Sequence, residues 1–257
     1  MKLLFLALPC FLIFSCSSDA IVVDSEGQSI YNPPAEGFDL EGSDPLAIAI
    51  ADSVMVAHGG RKAWDRARYF SFNFVGARHL VWDRYLGRVR ITSNNDSTIY
   101  VYDDRTGEGA AKVEGKVITD STALAEAMER AKGIMINDTY WLVFPYKLKD
   151  SGTTLTYVGE VDSDPLKESP SYVIDLTFEQ VGNTPFNRYR IFVDRESHLI
   201  NTWQFYRNAE DEEVSYETPF NNYREVSGLL ISDDRGERIK LLDVEILEEV
   251  DEAVFSL

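Results

Sequence analysis

Residues 44–74 read DPLAIAIADSVMVAHGGRKAWDRARYFSFNF, and the hydrophobic period of the chain changes within this stretch. Asp44 is a favourable N-cap, and Pro45 suits the first position of a helix because its missing N–H needs no partner there. Apolar side chains then recur every three or four residues. This recurrence predicts an amphipathic helix over residues 45–58 with one apolar stripe: Leu46, Ile50, Val54 and Ala57.

The residues after this helix predict a sharp turn and then a strand. Gly59 can adopt the left-handed conformation that ends many helices, and His58 is placed where a positive charge would meet the negative end of the helix. From residue 69 the period becomes two, which is typical of a half-buried strand: Phe70, Phe72 and Phe74 on one face, and Ser71 and Asn73 on the other.

The N-terminus indicates export and anchoring. A basic start is followed by an apolar stretch that is too short to span a bilayer, which predicts a signal peptide over residues 1–15. The sequence Ile13-Phe14-Ser15-Cys16 resembles a bacterial lipobox, and the resemblance implies cleavage before Cys16 and acylation of that cysteine. Cys10 leaves with the signal peptide, so the mature chain keeps Cys16 alone and can form no internal disulfide.

The chain is strongly acidic, and its charge is unevenly distributed. It contains 43 Asp and Glu against 25 Lys and Arg, and the net charge of −18 argues against nucleic acid as a partner. The charged residues of residues 17–42 are all acidic, and Pro33-Pro34 and several glycines break any helix there. This composition predicts a flexible acidic tether over residues 16–42, between the lipidated cysteine and one folded domain over residues 43–257.

After residue 74 the chain reads mostly as short strands bounded by Gly and Asx turns. Their alternating apolar and polar residues are typical of antiparallel sheets with one covered face. A second helix is predicted over residues 121–144, interrupted at Asn137-Asp138, and it ends in an apolar run at residues 139–144. The predicted fold is mainly β (α+β). It is a single large curved antiparallel sheet, a half-barrel of about ten or eleven strands, with the helices packed in its concave side.

Three stretches resemble the LolA/LolB-type domains that sort outer-membrane lipoproteins: residues 57–64 (AHGGRKAW), residues 138–150 (DTYWLVFPYKLKD) and residues 223–229 (YREVSGL). Within this set the chain is most like a family of Gram-negative lipoproteins. The resemblance covers about residues 45–250. It implies a half-barrel, and it implies that the half-barrel carries an acyl chain or another apolar ligand.

Aromatic side chains are the main candidates for a binding surface. An incompletely filled curved sheet leaves an apolar pocket, whereas the simpler alternative is that these rings fill the core. The candidate ligand-binding residues are Trp82, Tyr140, Trp141, Phe144, Trp203 and Phe205.

A polar site is a second candidate. A His79–Asp83 pair across a predicted turn could bind a metal or polarise a substrate, and His58 is a further member of this possible site. A structural hydrogen bond is the simpler interpretation of His79. The three histidines match no zinc spacing, and the sequence contains no phosphate-binding glycine loop or nucleophile elbow, so we predict no metal and no cofactor.

Three functional hypotheses follow from these patterns. The first is a non-enzymatic cell-envelope lipoprotein, anchored to a membrane through acylated Cys16, that binds a lipid or lipoprotein acyl chain. The expected location is the outer membrane, on its periplasmic or surface face. The second hypothesis is an envelope enzyme that acts on a glycan or lipid near His79 and Asp83. The third is an interaction module with a filled core. The shape of the concave face discriminates among them.

Overall fold

The computed structural model describes residues 31–179 and 186–257, and Tyr31–Leu257 form one unit. The predicted signal peptide, Cys16 and the first part of the predicted tether lie outside the described residues. Within the described ranges, no helix is both long and apolar enough to cross a membrane. The helices are α1 (Pro45–Ala57), α2 (Arg61–Arg66) and α3 (Ser121–Val143), with 3₁₀ turns at Phe144–Tyr146 and Glu252–Phe255.

The strands of the described residues form three antiparallel sheets. The orders are β14-β1-β2-β3-β4-β5-β6, β11-β10-β9-β8-β7 and β12-β13. The bounds are β1 (Tyr69–Phe74), β2 (Arg78–Asp83), β3 (Arg88–Ser93), β4 (Ile99–Asp103), β5 (Gly109–Val113), β6 (Lys116–Val117), β7 (Thr153–Val161), β8 (Ser171–Phe178), β9 (Arg188–Asp194), β10 (Ile200–Tyr206), β11 (Tyr216–Pro219), β12 (Asn221–Val226), β13 (Leu229–Asp234) and β14 (Leu241–Leu247).

The predicted mainly β class, with antiparallel strands in open sheets and helices packed against them, is confirmed. The described residues contain more strands than predicted, because short strands such as β6 are too brief to show an alternation. The strands are divided among three sheets. Helix α3 connects β6 of the seven-stranded sheet to β7 of the five-stranded sheet. Large twisted sheets tend to split or curl in this way.

The seven-stranded sheet packs against the first part of α3. Phe70 and Phe72 of β1 are fully buried, and Phe70 lies opposite Trp82 of β2. Met128 and Met135 of α3 belong to the same apolar cluster. In the last turns of α3, Leu142 and Val143 still belong to this cluster, whereas Tyr140 packs against the cluster of the five-stranded sheet.

The buried face of helix α1 matches the predicted stripe in part, since Ile50 and Val54 are buried as predicted. Leu46 is 50% exposed, whereas the face against β7 and the first 3₁₀ turn is built from Ala47, Ile50, Ala51 and Val54. Small alanine side chains allow close packing, so the helix turns this face inward. The Asp44 carboxylate accepts a hydrogen bond from the Tyr157 N–H of β7 at 2.8 Å and does not cap the helix.

The second part of the predicted tether is packed onto the folded unit. Phe38 is buried in the same cluster as α1, and the Asp39 N–H donates to the carbonyl of Thr153 at 3.1 Å. The Ala35 N–H donates to the carbonyl of Lys149 at 2.9 Å. The described residues before position 43 therefore include a segment that packs on the folded unit, within the range where the sequence predicted a flexible tether. Charge and proline content gave no sign of the Phe38 contact.

Helix α3 continues through the predicted interruption at Asn137-Asp138. The Asp138 side chain is fully buried and accepts hydrogen bonds from Arg78 Nε at 2.5 Å and Nη2 at 2.7 Å. This ion pair joins the C-terminal part of α3 to β2. A partner of opposite charge for the buried Asp138 thus overrides the local preference of Asn and Asp for turns.

Candidate functional site

A cavity of about 680 Å³ lies between the C-terminal end of α3 and the five-stranded sheet. Most of its lining residues are aromatic, and the polar ones include a lysine, an aspartate and two asparagines. The lining residues are Ile136, Asn137, Tyr140, Trp141, Phe144, Lys147, Asp150, Ser151, Thr153, Phe178, Asn187, Tyr189, Trp203, Phe205, Tyr216 and Phe220. Such a volume is typical of sites for small ligands, which span roughly 300–1,000 Å³.

The aromatic rings form a connected wall. Trp203 and Phe205 are two residues apart on β10 and share one face of the sheet, with ring centroids 5.9 Å apart. The ring centroid of Trp141, on the last turn of α3, lies 4.9 Å from that of Trp203. Tyr189 of β9 lies 4.9 Å from Trp203 on the other side. The rings support one another, so the cavity shape is largely set by the protein.

Five of the six predicted aromatic residues line this cavity: Tyr140, Trp141, Phe144, Trp203 and Phe205. Sequence reasoning missed Phe178, Tyr189, Tyr216 and Phe220. Tyr189 pairs with Phe205 across β9 and β10, so knowledge of the strand register would have identified it. The sequence of each strand alone does not give this register.

Trp82 is not part of this cavity. Its strand β2 belongs to the seven-stranded sheet, whereas the cavity is built on the five-stranded sheet. Trp82 packs on Phe70 with ring centroids 5.4 Å apart. It also lines a second cavity of about 230 Å³ together with Trp64 and Tyr146. The prediction that Trp82 joins the other five residues was wrong, because sequence does not tell which sheet a strand enters.

Three ionisable residues of the cavity, Tyr140, Lys147 and Asp150, are either buried or paired. Burial, followed by the nearby Tyr189 and Asp150, raises the pKa of Tyr140 well above its ordinary value, so its hydroxyl stays protonated at neutral pH. Lys147 forms an ion pair with Asp150, three residues later in the chain. The cavity therefore presents aromatic surface, neutral polar groups and one ion pair.

His58 is a buried structural residue and carries no positive charge at neutral pH. Burial lowers its pKa to about 4, despite a hydrogen bond at 2.7 Å between its Nδ1 and the Val54 carbonyl. Its ring packs edge-on against Tyr146 and Tyr223, at centroid distances of 5.9 and 5.4 Å. The prediction of a favourable interaction between a charged His58 and the helix end was wrong, because the cost of burying the charged imidazole outweighs that interaction.

His79 and Asp83 do not pair with each other. His79 Nε2 lies 3.0 Å from the Ser71 hydroxyl on the neighbouring strand, whereas the buried Asp83 binds Arg68 and Arg88 at 3.0 Å each. Desolvation lowers the pKa of His79, so this imidazole favours its neutral form. The structure thus gives each residue a separate structural partner. Within the described residues, no cluster of three or more metal-ligating side chains occurs.

Comparison with known proteins gives structural likenesses only. No family model matches this chain, and no curated protein sequence matches it. A DUF1329 family protein from Desulfovibrio piger is 13% identical, with 83% of this chain and 98% of that chain covered and a TM-score of 0.40. A LolA superfamily protein from Nitrosomonas europaea is 8% identical, with 80% and 97% covered and a TM-score of 0.37.

A third similar structure, from Vibrio parahaemolyticus, is described as an outer membrane lipoprotein-sorting protein domain. It is 8% identical, with 82% of this chain and 96% of that chain covered and a TM-score of 0.38. The family names that these two structures carry belong to the set of lipoprotein-sorting domains that the sequence resembles.

Proposed function

We propose that this chain is a lipid-anchored protein of the cell envelope that binds an apolar ligand, a lipid or lipoprotein acyl chain, in the aromatic cavity. The observation that carries this proposal is the cavity itself, about 680 Å³ of space lined mainly by aromatic rings. An apolar molecule that enters it removes its own hydrocarbon surface and that of the rings from water.

The cavity also weighs against the two alternatives. An interaction module with a filled core leaves no space of this size at the sheet. An enzyme that uses His79 and Asp83 needs both side chains at one site. Instead, His79 contacts the Ser71 hydroxyl, whereas Asp83 pairs with two arginines. We therefore retain the ligand-binding hypothesis and propose no reaction.

The cavity is tested by placing a charge inside it. Phe205 is half-buried and lines the cavity, so Phe205→Glu should lower the amount of co-purified lipid at least tenfold, because a carboxylate resists desolvation there. The mature protein would carry Cys16→Ser, which excludes acyl chains of its own. It would be extracted with organic solvent, and the amount of extracted lipid would be measured by mass spectrometry.

Tyr172 offers a matched control, since it is half-buried on the same sheet and is not among the lining residues. Tyr172→Glu should keep the lipid of the wild type. Circular dichroism would check that both variants retain their sheets. Absence of lipid from the Cys16→Ser protein whose cavity is unchanged, after expression in a Gram-negative envelope, would favour the ligand-free module.

The anchor is a separate part of the proposal, because Cys16 lies outside the described residues. Cys16→Ser should abolish labelling by radioactive palmitate and should move the protein from the membrane pellet to the soluble envelope fraction, since a single acylated cysteine supplies the anchor. Immunoblots of the two fractions measure the change. Palmitate labelling that persists in the variant would contradict the lipoprotein hypothesis.

A further inference from the structure

Asn187 supplies a polar group to the cavity for which the protein has no partner. It lies immediately before β9, lines the cavity and is only 4% exposed. In the described part of the chain, its amide nitrogen Nδ2 is buried and has no hydrogen-bond partner. A buried donor in this state destabilises the protein unless another molecule accepts its hydrogen bond.

Other polar side chains of the same cavity are already paired within the protein. Asn137 Nδ2 donates to Asp138 Oδ1 at 2.9 Å, and Lys147 forms its ion pair with Asp150. Asn187 thus differs from these neighbours in having a donor to offer. Its position beside Phe178 and Tyr189 places that donor next to aromatic surface.

We propose that the ligand carries an acyl carbonyl oxygen next to its hydrocarbon chain, and that Asn187 Nδ2 donates a hydrogen bond to this oxygen. This inference rests on the proposed function and narrows it from any apolar molecule to fatty acids and fatty acyl esters. The aromatic rings hold the chain, and Asn187 holds the carbonyl. A plain alkane fills the same space but leaves the amide without a partner.

The test compares three ligands of equal chain length with the mature chain that carries Cys16→Ser. Dodecane, methyl dodecanoate and dodecanoate would be titrated while the fluorescence of Trp141 and Trp203 in the cavity is recorded. One hydrogen bond is worth a factor of about 3 to 10, so methyl dodecanoate should bind that much more tightly than dodecane. The ratio of dodecanoate to ester affinity tells whether a free acid or an ester is the better ligand.

Asn187→Leu removes the donor at nearly constant size. It should abolish the preference for the ester while leaving the affinity for dodecane within about twofold. The urea midpoint of the ligand-free variant should not fall, because an unpaired buried amide is replaced by an apolar group. Asn137→Leu is the matched control, since its amide already has a protein partner, and it should keep the ester preference.

The two proposals fail in different ways. If neither dodecane nor the ester binds the wild-type protein, the cavity does not hold an apolar ligand and the proposed function is wrong. If both bind with equal affinity, the proposed function stands and the assignment of a carbonyl to Asn187 is wrong. This second comparison uses only the wild-type protein, so it holds even if Asn187→Leu does not fold.

Discussion

Gly59→Val is expected to lower the free energy of unfolding by at least about 3 kcal/mol, because two costs coincide at this position. Gly59 has a φ of +106°, where a β-branched residue is strained. An added Cβ would also overlap the carbonyl oxygen of Gly228, in the turn between β12 and β13. The shift of the urea midpoint measures this loss against a typical total stability of about 5–15 kcal/mol.

Gly60 separates the two costs. It also has a positive φ, +80°, but an added Cβ there meets nothing within 4 Å. Gly60→Val should therefore show only the backbone penalty, about 1–2 kcal/mol. Equal midpoints for the two variants would mean that the approach to Gly228 is unimportant. The structural reason to expect otherwise is that β13 docks on the end of α1, where the Leu230 N–H donates to the His58 carbonyl at 3.0 Å.

Asp83→Ala is expected to have the second largest effect, a loss of about 2–4 kcal/mol. The Asp83 side chain is fully buried, and its oxygens accept hydrogen bonds from Arg68 and Arg88. They also accept from the backbone N–H groups of Tyr85 and Leu86 in the following turn. Alanine leaves all of these donors without the carboxylate. Urea denaturation at neutral pH measures the change.

Asp103 is a matched control at the end of another strand. Its carboxylate accepts from the N–H groups of Arg105 and Thr106 in the same turn geometry. Asp103→Ala should therefore cost only the turn hydrogen bonds, about 1 kcal/mol. An equally large loss in both variants would show that the arginines add nothing at Asp83.

The pH dependence of stability gives an independent check on Asp83. Burial alone would raise its pKa, but the hydrogen bonds from Arg68 and Arg88 outweigh burial and lower the pKa below 3.8. A carboxyl with a lowered pKa stabilises the fold above its unfolded pKa, and this contribution is lost as the pH falls through the folded pKa. The difference between wild type and Asp83→Ala should therefore shrink below about pH 4. A difference that grows in acid would contradict this ion-pair account.

Local sequence patterns were sufficient to locate most elements. The strand that begins at residue 69 was predicted with its observed first residue, and the helix over residues 121–144 was predicted within one residue. These predictions succeed because the period of apolar residues reflects the geometry of one element and its own buried face. The apolar run that the same patterns located at residues 139–144 contributes Tyr140, Trp141 and Phe144 to the cavity wall.

Tertiary structure decided which of these elements contact one another and which ionisable side chains remain charged. Trp82 and Trp203 both occur in short alternating strands, and their sequences do not distinguish them. They nevertheless lie on different sheets, because strand pairing is set by long-range register and not by local pattern. His58 lost its expected charge, and Asp138 stayed inside a helix, because burial and a distant arginine outweigh local preference. Asn187 became a candidate ligand contact for the same reason. Only packing from several strands and a helix can bury an amide nitrogen and leave it without a partner among the described residues.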